Sequence, residues 1–185
     1  SIGAYGQQHF GCADRNTVGP GNVIARNGGH GVMVWEDAID ATNGDRNRIT
    51  QNSHYYNIGL GIDLQDNGVT SNDASDVDSK ANQELNFPVI DSAVISGGNT
   101  TIYGKLQIDT DPTQATVEVF KAALDPSGYG EGRTYLVSTS PPTATGNWSV
   151  IEGTLVAGDT VTATATDSKN NTSEFSANVV VTKAG

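Results

Sequence analysis

The residues best suited to chemistry lie in one acidic stretch, DLQDNGVTSNDASDVDSKANQELNFP, from Asp63 to Pro88. Calcium takes six to eight oxygen ligands at flexible geometry, so carboxylates that alternate along a loop can converge on one ion. The residues predicted to bind calcium are Asp63, Asp66, Asp73, Asp76 and Asp78. The alternative is a polar connector in which Asp and Asn side chains cap turns. Lys80 favours this alternative, since it lies where calcium loops commonly have a small residue.

Aromatic side chains offer a second kind of site, because a flat ring with a polar edge can stack on a sugar. The residues predicted to bind a glycan in this way are Trp35, Tyr55 and Tyr56. Trp35 is followed by Glu36, Asp37 and Asp40, whose carboxylates could serve polysaccharide cleavage. The sequence therefore leaves a carbohydrate-binding interpretation open.

The sequence contains no recognised catalytic motif, and it predicts a protein that is not an enzyme. The histidines His9, His30 and His54 do not have zinc-site spacing, and there is no G-x-S-x-G, phosphate-binding loop or C-x-x-C. We expect His30 and His54 to be solvated turn residues. Cys12 has no activating partner nearby in sequence, so we expect it to behave as a small buried hydrophobe.

Composition and charge exclude several classes of partner. The formal net charge of −11 argues against nucleic acid and against anionic membrane surfaces, both of which attract basic proteins. No apolar run reaches the length of a membrane-spanning helix, so no membrane insertion is expected. A single cysteine cannot form an internal disulfide. The chain opens at Ser1 without an initiator Met or a signal peptide, which predicts a processed form or a piece of a longer protein.

The elements that must position these residues begin with a repeat. Asn22-Val-Ile-Ala-Arg-Asn27 aligns with Asn47-Arg-Ile-Thr-Gln-Asn52 at an offset of 25 residues, and Gly31–Val34 aligns with Gly61–Leu64 at an offset of 30. This alignment implies an insertion of about five residues within Ser53–Asn57. A repeat of this length made of short strands is typical of a β-solenoid. We expect Asn27 to stack on Asn52 at a corner, and these side chains to face inward: Val23, Ile24, Val32, Val34, Ile49, Ile62 and Leu64.

Beyond residue 86 the pattern changes to strict alternation, which is typical of half-buried antiparallel strands. In DTVTATATD, we expect Val161, Ala163 and Ala165 to face a core and the intervening threonines to face solvent. Seven strands are predicted near 87–95, 100–108, 115–122, 133–139, 146–151, 159–166 and 174–182. This number and spacing indicate an immunoglobulin-like β-sandwich, in which Trp148 and Phe175 are the expected large core residues.

Three stretches, NVIARNGGHGV, NRITQNS and GLGIDLQDNGVTSNDASDVDSKANQELNFPVIDSA, resemble the last coils and exit segment of bacterial secreted right-handed parallel β-helix repeat proteins. In that family the exit segment leads into an immunoglobulin-like domain, and DSKNNTSEF resembles the last hairpin of such domains. The resemblance implies an all-β chain in which a right-handed parallel β-solenoid of about two to three coils is followed by a seven-stranded immunoglobulin-like β-sandwich. The boundaries are 1–65 for the coils, 66–86 for the acidic connector and 87–185 for the sandwich.

The expected function is that of a non-catalytic structural or adhesive module, secreted and held at a cell surface or in a matrix. A stack of two coils has open ends, which favour self-assembly head to tail through β-edges into an oligomer or filament. Ser1–Arg15 could instead fold over one end, or terminal strands such as Ser1–Tyr5 or Ser176–Thr182 could be exchanged between copies. The alternative function is an accessory or carbohydrate-binding part of a polysaccharide-active enzyme.

Overall fold

A computed structural model describes residues 14–36 and 44–185 of the chain, and these residues form an all-β fold. The N-terminal strands are β1 (Thr17–Val18), β2 (Val23–Ala25), β3 (Val32–Val34), β4 (Arg48–Ile49), β5 (Ser53–Tyr55) and β6 (Ile62–Leu64). The later strands are β7 (Val89–Ser96), β8 (Asn99–Lys105), β9 (Thr116–Ala122), β10 (Gly132–Thr139), β11 (Asn147–Glu152), β12 (Thr160–Thr166), β13 (Val179–Val180) and β14 (Thr182–Lys183). Short 3-10 turns lie at Ala81–Glu84 and Pro112–Gln114.

The first six strands form two layers of chain stacked on one another. Residues 14–36, which we call the first layer, carry β1 to β3, and residues 44–65, the second layer, carry β4 to β6. β1 pairs with β4, β2 with β5 and β3 with β6, and all three pairs are parallel. Each strand has only two or three residues, because a turn follows within a few positions.

Asparagine side chains stack between the layers, but in a register that differs from the predicted one. Asn27 lies over Asn57, with an amide-to-carbonyl distance of 2.8 Å, and Asn22 lies over Asn52 at 3.0 Å. Both pairs are 30 residues apart, so the predicted stack of Asn27 on Asn52 is wrong. The stretch taken as an insertion is β5 and the turn after it, which pair with β2 and its turn. The 30-residue offset read from Gly31–Val34 is confirmed.

The register also corrects two predicted side-chain positions. Val23 and Ile24 cannot both face inward, because neighbouring residues of a strand point to opposite faces, and Val23 is 66% exposed. His54 is the register partner of Ile24 and is 1% exposed. The prediction of a solvated His54 is therefore wrong, and its cause is the alignment that placed His54 in an insertion.

The C-terminal half, residues 87–185, forms two four-stranded sheets that share one hydrophobic core. The strand orders are β10-β9-β12-β13 and β11-β8-β7-β14. Ile102 of β8 and Leu106, which follows β8, pack with Val117 and Val161 from the other sheet, and all four are fully buried. Trp148 belongs to this core, as predicted.

The last predicted strand is replaced by a more complex path. Six of the seven predicted strands lie at the expected places, but within 174–182 the chain forms only β13 and the start of β14, in different sheets. The segment before β13 instead runs along the edge of β12, where the N–H groups of Ser173 and Ser176 donate to the Ala165 and Ala163 carbonyls over 2.9 and 2.8 Å. Thr162, Thr164 and Thr166 are buried, which corrects their predicted exposure, and Thr162 and Thr164 are the register partners of Phe120 and Glu118 on β9.

A second hydrophobic core joins the two halves. It contains Ile49, Ile62 and Leu64 from the second layer together with Phe120 of β9 and Phe175. Phe175 therefore packs against the layers, outside the core between the two sheets where it was expected. Within the described residues, no helix is long and apolar enough to cross a membrane.

Candidate functional site

The junction between the second layer and the C-terminal half is the most elaborate polar site in the described residues. Backbone N–H groups of the second layer point away from the first layer and would otherwise lack partners. Side-chain oxygens of the C-terminal half accept from them, in the pairs Ile49 with Thr172 (3.0 Å), Gln51 with Glu118 (2.9 Å), Asn57 with Glu131 (3.2 Å) and Leu64 with Glu174 (2.9 Å). These bonds close the edge to which another strand could add.

The connector contributes to the same closure through one asparagine. Asn82 is fully buried, and its side-chain oxygen accepts from the Asn47 N–H over 2.9 Å. Its amide donates to the carbonyls of Asn47 and Thr172, over 2.8 and 2.9 Å. A single side chain thus ties the second layer, the connector and the C-terminal segment together.

Burial changes the acidity of the junction carboxylates. Desolvation raises the pKa of Glu174 to about 7, although hydrogen bonds from the N–H groups of Leu64 and Thr70 favour its charged form. Burial likewise raises the pKa of Glu131, against the opposing effect of its hydrogen bonds to Asn57. The carboxylate of Glu118 accepts from the Thr50 hydroxyl at 2.5 Å. Glu131 and Glu174 therefore incur a desolvation cost when they are charged.

His54 lies on the layer side of the same junction. Its ring packs edge-on against Phe175, with 5.3 Å between ring centroids. Burial lowers the pKa of His54 to about 4, against a smaller raising effect of a hydrogen bond with the Gly61 backbone. His54 is thus a neutral core residue at ordinary pH.

Two of the predicted calcium ligands lie on either side of His30. Its Nδ1 atom is 3.3 Å from the Asp63 carboxylate and its Nε2 atom is 3.1 Å from that of Asp66. Asp63 is fully buried and also accepts from the N–H groups of Asn67 and Gly68. Its oxygens therefore organise the turn that leaves the second layer.

The other three predicted ligands lie further along the connector. Asp76 is buried and accepts from the N–H groups of Asn86 and Asp109, over 2.8 and 3.2 Å. Desolvation raises the pKa of Asp76 to about 6, with smaller raising effects from Asp109 and Asp73. Asp73 accepts from the Val77 N–H, and Asp78 is half-buried. This is the geometry of a connector whose carboxylates cap backbone turns.

The five carboxylates are divided between two places. Among residues 14–36 and 44–185, no group of three or more His, Cys, Asp or Glu side chains is arranged to hold a metal ion. Calcium binding stays a prediction, and an unchanged melting temperature in excess chelator would count against it.

The predicted glycan-stacking residues are only partly brought together. Tyr55 and Tyr56 meet edge to face, with ring centroids 5.4 Å apart, and the Arg133 guanidinium lies over both rings at 5.2 and 5.9 Å. The Arg26 guanidinium also lies over the Tyr56 ring, 5.3 Å from its centroid. Trp35 follows β3, which belongs to a different two-stranded sheet from β5.

Sequence reasoning did not single out the junction carboxylates Glu118, Glu131 and Glu174, because alternation shows which residues share a face and does not show what covers that face. The signal that could have identified them is Phe120, which shares its face of β9 with Glu118, since a large apolar residue there indicates that something covers this face. Other candidates lie outside the described residues, namely His9, Cys12, Asp37, Asp40 and the proposed N-terminal cap up to residue 13. No protein-family model matches the chain.

Proposed function

We propose that the chain is a non-catalytic structural and adhesive module of a secreted surface or matrix protein. In this proposal the two layers are coils of a right-handed parallel β-solenoid, and the two four-stranded sheets are an immunoglobulin-like β-sandwich. Three parallel strand pairs at offsets of 30 to 31 residues, with asparagines stacked at the turns, support the first part. Two sheets around one core support the second.

The observation that carries the proposal is the difference between the two sides of the layer pair. On the β4–β6 side, the C-terminal half supplies acceptors for the backbone amides. On the β1–β3 side, no strand within residues 14–36 and 44–185 pairs with the layer. Such an edge accepts another strand through main-chain hydrogen bonds, which is the interaction that joins subunits by β-augmentation.

The partner that we propose for this edge is a second copy of the chain. Both four-stranded sheets are open, so β10, β13, β11 and β14 are edge strands within the described residues. The β1–β3 edge of one copy would contact one of these strands in the next copy. This head-to-tail contact can repeat from copy to copy without closing into a ring, and it then generates a filament.

The test is the molar mass of the purified chain across a wide concentration range, with and without calcium, by analytical ultracentrifugation and light scattering. We expect the mass to rise with concentration. Lysines in place of the exposed Val23 and Met33 should reduce this rise, because charges on an edge discourage strand addition. The matched control is Leu124→Lys in an exposed turn. A constant monomer mass at every concentration would refute the assembly.

The exposed Tyr55–Tyr56 pair under Arg133 favours carbohydrate binding as a second candidate function. In this alternative the chain is an accessory part of a polysaccharide-active enzyme. Its test is binding to a glycan array, which Tyr56→Ala should weaken because that ring is 52% exposed and available for stacking. An array without any binding above background would remove this candidate.

A further inference from the structure

A basic cleft lies beside the layers, on the side where β1 and β4 begin. It has a volume of about 480 Å³ and is lined by Arg15, Thr17, Arg46, Arg48, Lys169 and Asn170. Four of the ten lysines and arginines of the chain meet here, although the net charge is −11. The cleft is separate from the predicted carboxylate and aromatic sites, and it lies within the size range of ligand pockets.

The stacking of the layers produces this concentration of positive charge. Arg15 lies directly above Arg46, because the Arg15 N–H donates to the Asp45 carbonyl over 3.0 Å. Both residues have left-handed backbone angles, with φ of 58° and 61°, as expected for matched turns. Thr17 is the register partner of Arg48 in the same way. Stacked strands are about 4.8 Å apart, so the backbones of Arg15 and Arg46 are held close together beside Arg48.

Residues of the C-terminal half complete the lining of the cleft. The Arg46 N–H donates to the side-chain oxygen of Asn171 over 2.6 Å, which places Lys169 and Asn170 next to the arginines. Lys169 itself donates to Gln83 and lies 3.4 Å from the Asp109 carboxylate, so its charge is partly neutralised. The cleft therefore exists only when the layers and the C-terminal half are joined.

The three guanidinium groups of the cleft differ from Lys169, which has the Asp109 carboxylate as a partner. Within the described residues, Arg15, Arg46 and Arg48 take part in no ion pair. The nearby Asp14 carboxylate accepts from the N–H groups of Gly44 and Asp45, at 2.6 and 3.0 Å, and so caps a turn. The Asp45 carboxylate feels the charges of Arg46 and Lys169, and no carboxylate is described beside Arg15 or Arg48 at ion-pair distance. Like charges that line one cleft repel one another, and a bound anion would relieve that repulsion.

We propose that this cleft binds an anionic oligosaccharide. Planar guanidinium groups match carboxylate and sulfate oxygens in paired hydrogen bonds, and Thr17 and Asn170 provide neutral partners for sugar hydroxyls. The lining contains no aromatic residue on which a nucleobase could stack. The acidity of the rest of the chain would also repel a long polyphosphate. The inference does not depend on the assembly proposed above.

The experiment is calorimetric titration of the whole chain with a galacturonic acid trimer, a sulfated oligosaccharide of similar length and a neutral glucose trimer. We expect binding of an anionic oligomer that weakens as salt is added, and no binding of the neutral trimer. The two anionic ligands distinguish carboxylate from sulfate ester as the preferred group.

Substitutions assign the binding to the cleft. We expect Arg46→Gln combined with Arg48→Gln to weaken binding by at least about tenfold, since a charge-assisted hydrogen bond contributes more than the free energy of one factor of ten. The affinity of Arg48→Lys should lie between those of the unsubstituted protein and the double variant, because lysine keeps the charge and loses the paired hydrogen-bond geometry. Lys183→Gln removes one positive charge from an exposed strand outside the cleft lining and should bind normally. Circular dichroism would establish that each variant is folded.

Three results would overturn the proposal. The first is no detectable binding of either anionic oligomer at low salt. The second is equal binding of the neutral trimer, which would indicate recognition without charge. The third is an equal loss of affinity in Lys183→Gln and in the double variant, which would indicate that only the net charge of the chain matters.

Discussion

At the scale of single residues, the junction contains two buried titratable groups whose effects on stability oppose each other. The folded pKa of Glu174 is raised from 4.5 to about 7, so its contribution to stability is lost as pH rises across that interval. The pKa of His54 is lowered from 6.5 to about 4, so its contribution is lost as pH falls across the corresponding interval. Between about pH 4.5 and 6.5 the two effects offset one another.

The substitution Glu174→Gln separates these effects, because an amide is neutral at every pH. Relative to the unsubstituted protein, we expect the variant to gain about 2 kcal/mol in unfolding free energy when pH is raised from about 5 to about 8. His54 is present in both proteins, so its contribution cancels. The measurement is urea unfolding at both pH values. Asp91→Asn, on an exposed position of β7, is the control, and a difference independent of pH would contradict the assignment.

At the scale of elements, β9 and β12 stand out because both of their faces are buried. The inner faces pack in the core between the sheets. The outer face of β9 receives the second layer, and the neighbouring threonines of β12 are buried with it. Glu118, on the outer face of β9, is bonded to the Gln51 N–H and to the Thr50 hydroxyl. β9 therefore pairs within its own sheet and also supplies, through Glu118, hydrogen-bond acceptors to the second layer.

Replacement of Glu118 by alanine tests this role. We expect a loss of about 2–4 kcal/mol, since two buried donors would lose their acceptor. Hydrogen exchange at the Gln51 amide should become faster, while the amides of β8 keep their protection. Glu152→Ala, which removes a turn cap confined to the C-terminal half, serves as the control. Unchanged exchange at Gln51 in Glu118→Ala would contradict the role.

The strands of the C-terminal half were predictable because alternation in sequence reports directly on an inner and an outer face. What covers the outer face was not predictable, because threonines such as Thr162 and Thr164 suit both solvent and a polar buried contact. The layer register was only half predictable. The glycine-led strands gave the 30-residue offset, while the similar spacing of Asn22–Asn27 and Asn47–Asn52 gave a false match of 25, because the turns of each layer repeat the same residue type.

The candidate site was the least predictable part. Calcium binding was predicted for the acidic stretch because the carboxylate oxygens of residues such as Asp76 are typical calcium ligands. Which oxygens already accept backbone N–H groups depends on the fold, and Asp76 uses both of its oxygens in this way. The arginines of the cleft are 31 residues apart in the first and second layers, so only the correct register brings Arg15 and Arg46 together.

At the scale of the whole molecule, the two halves share a core and should behave as one folding unit. Phe175 packs against His54 of the second layer and against Phe120 of β9, with ring centroids 5.3 and 5.4 Å apart. Removal of this ring would leave apolar surface uncovered in both halves. Cooperative unfolding is therefore expected, even though the sequence divides into two differently patterned regions.

The two tryptophans allow a direct test, because Trp35 lies in the first layer and Trp148 in the core between the sheets. Variants that keep only one of them, Trp35→Phe and Trp148→Phe, should each give one fluorescence transition in urea after correction for the stability of each variant, and the two should coincide. Phe175→Ala should destabilise the protein by about 3–5 kcal/mol and separate the two signals. Transitions that differ before Phe175 is changed would contradict a shared unit.

The closure of the second layer by Glu118, Glu131 and Glu174 gives the stack a polarity. In the proposed assembly, a further layer would be added next to β1–β3, since among the described residues the other side of the pair is already occupied by the same polypeptide. These two layers would then form one end of a longer column, which would grow in a single direction.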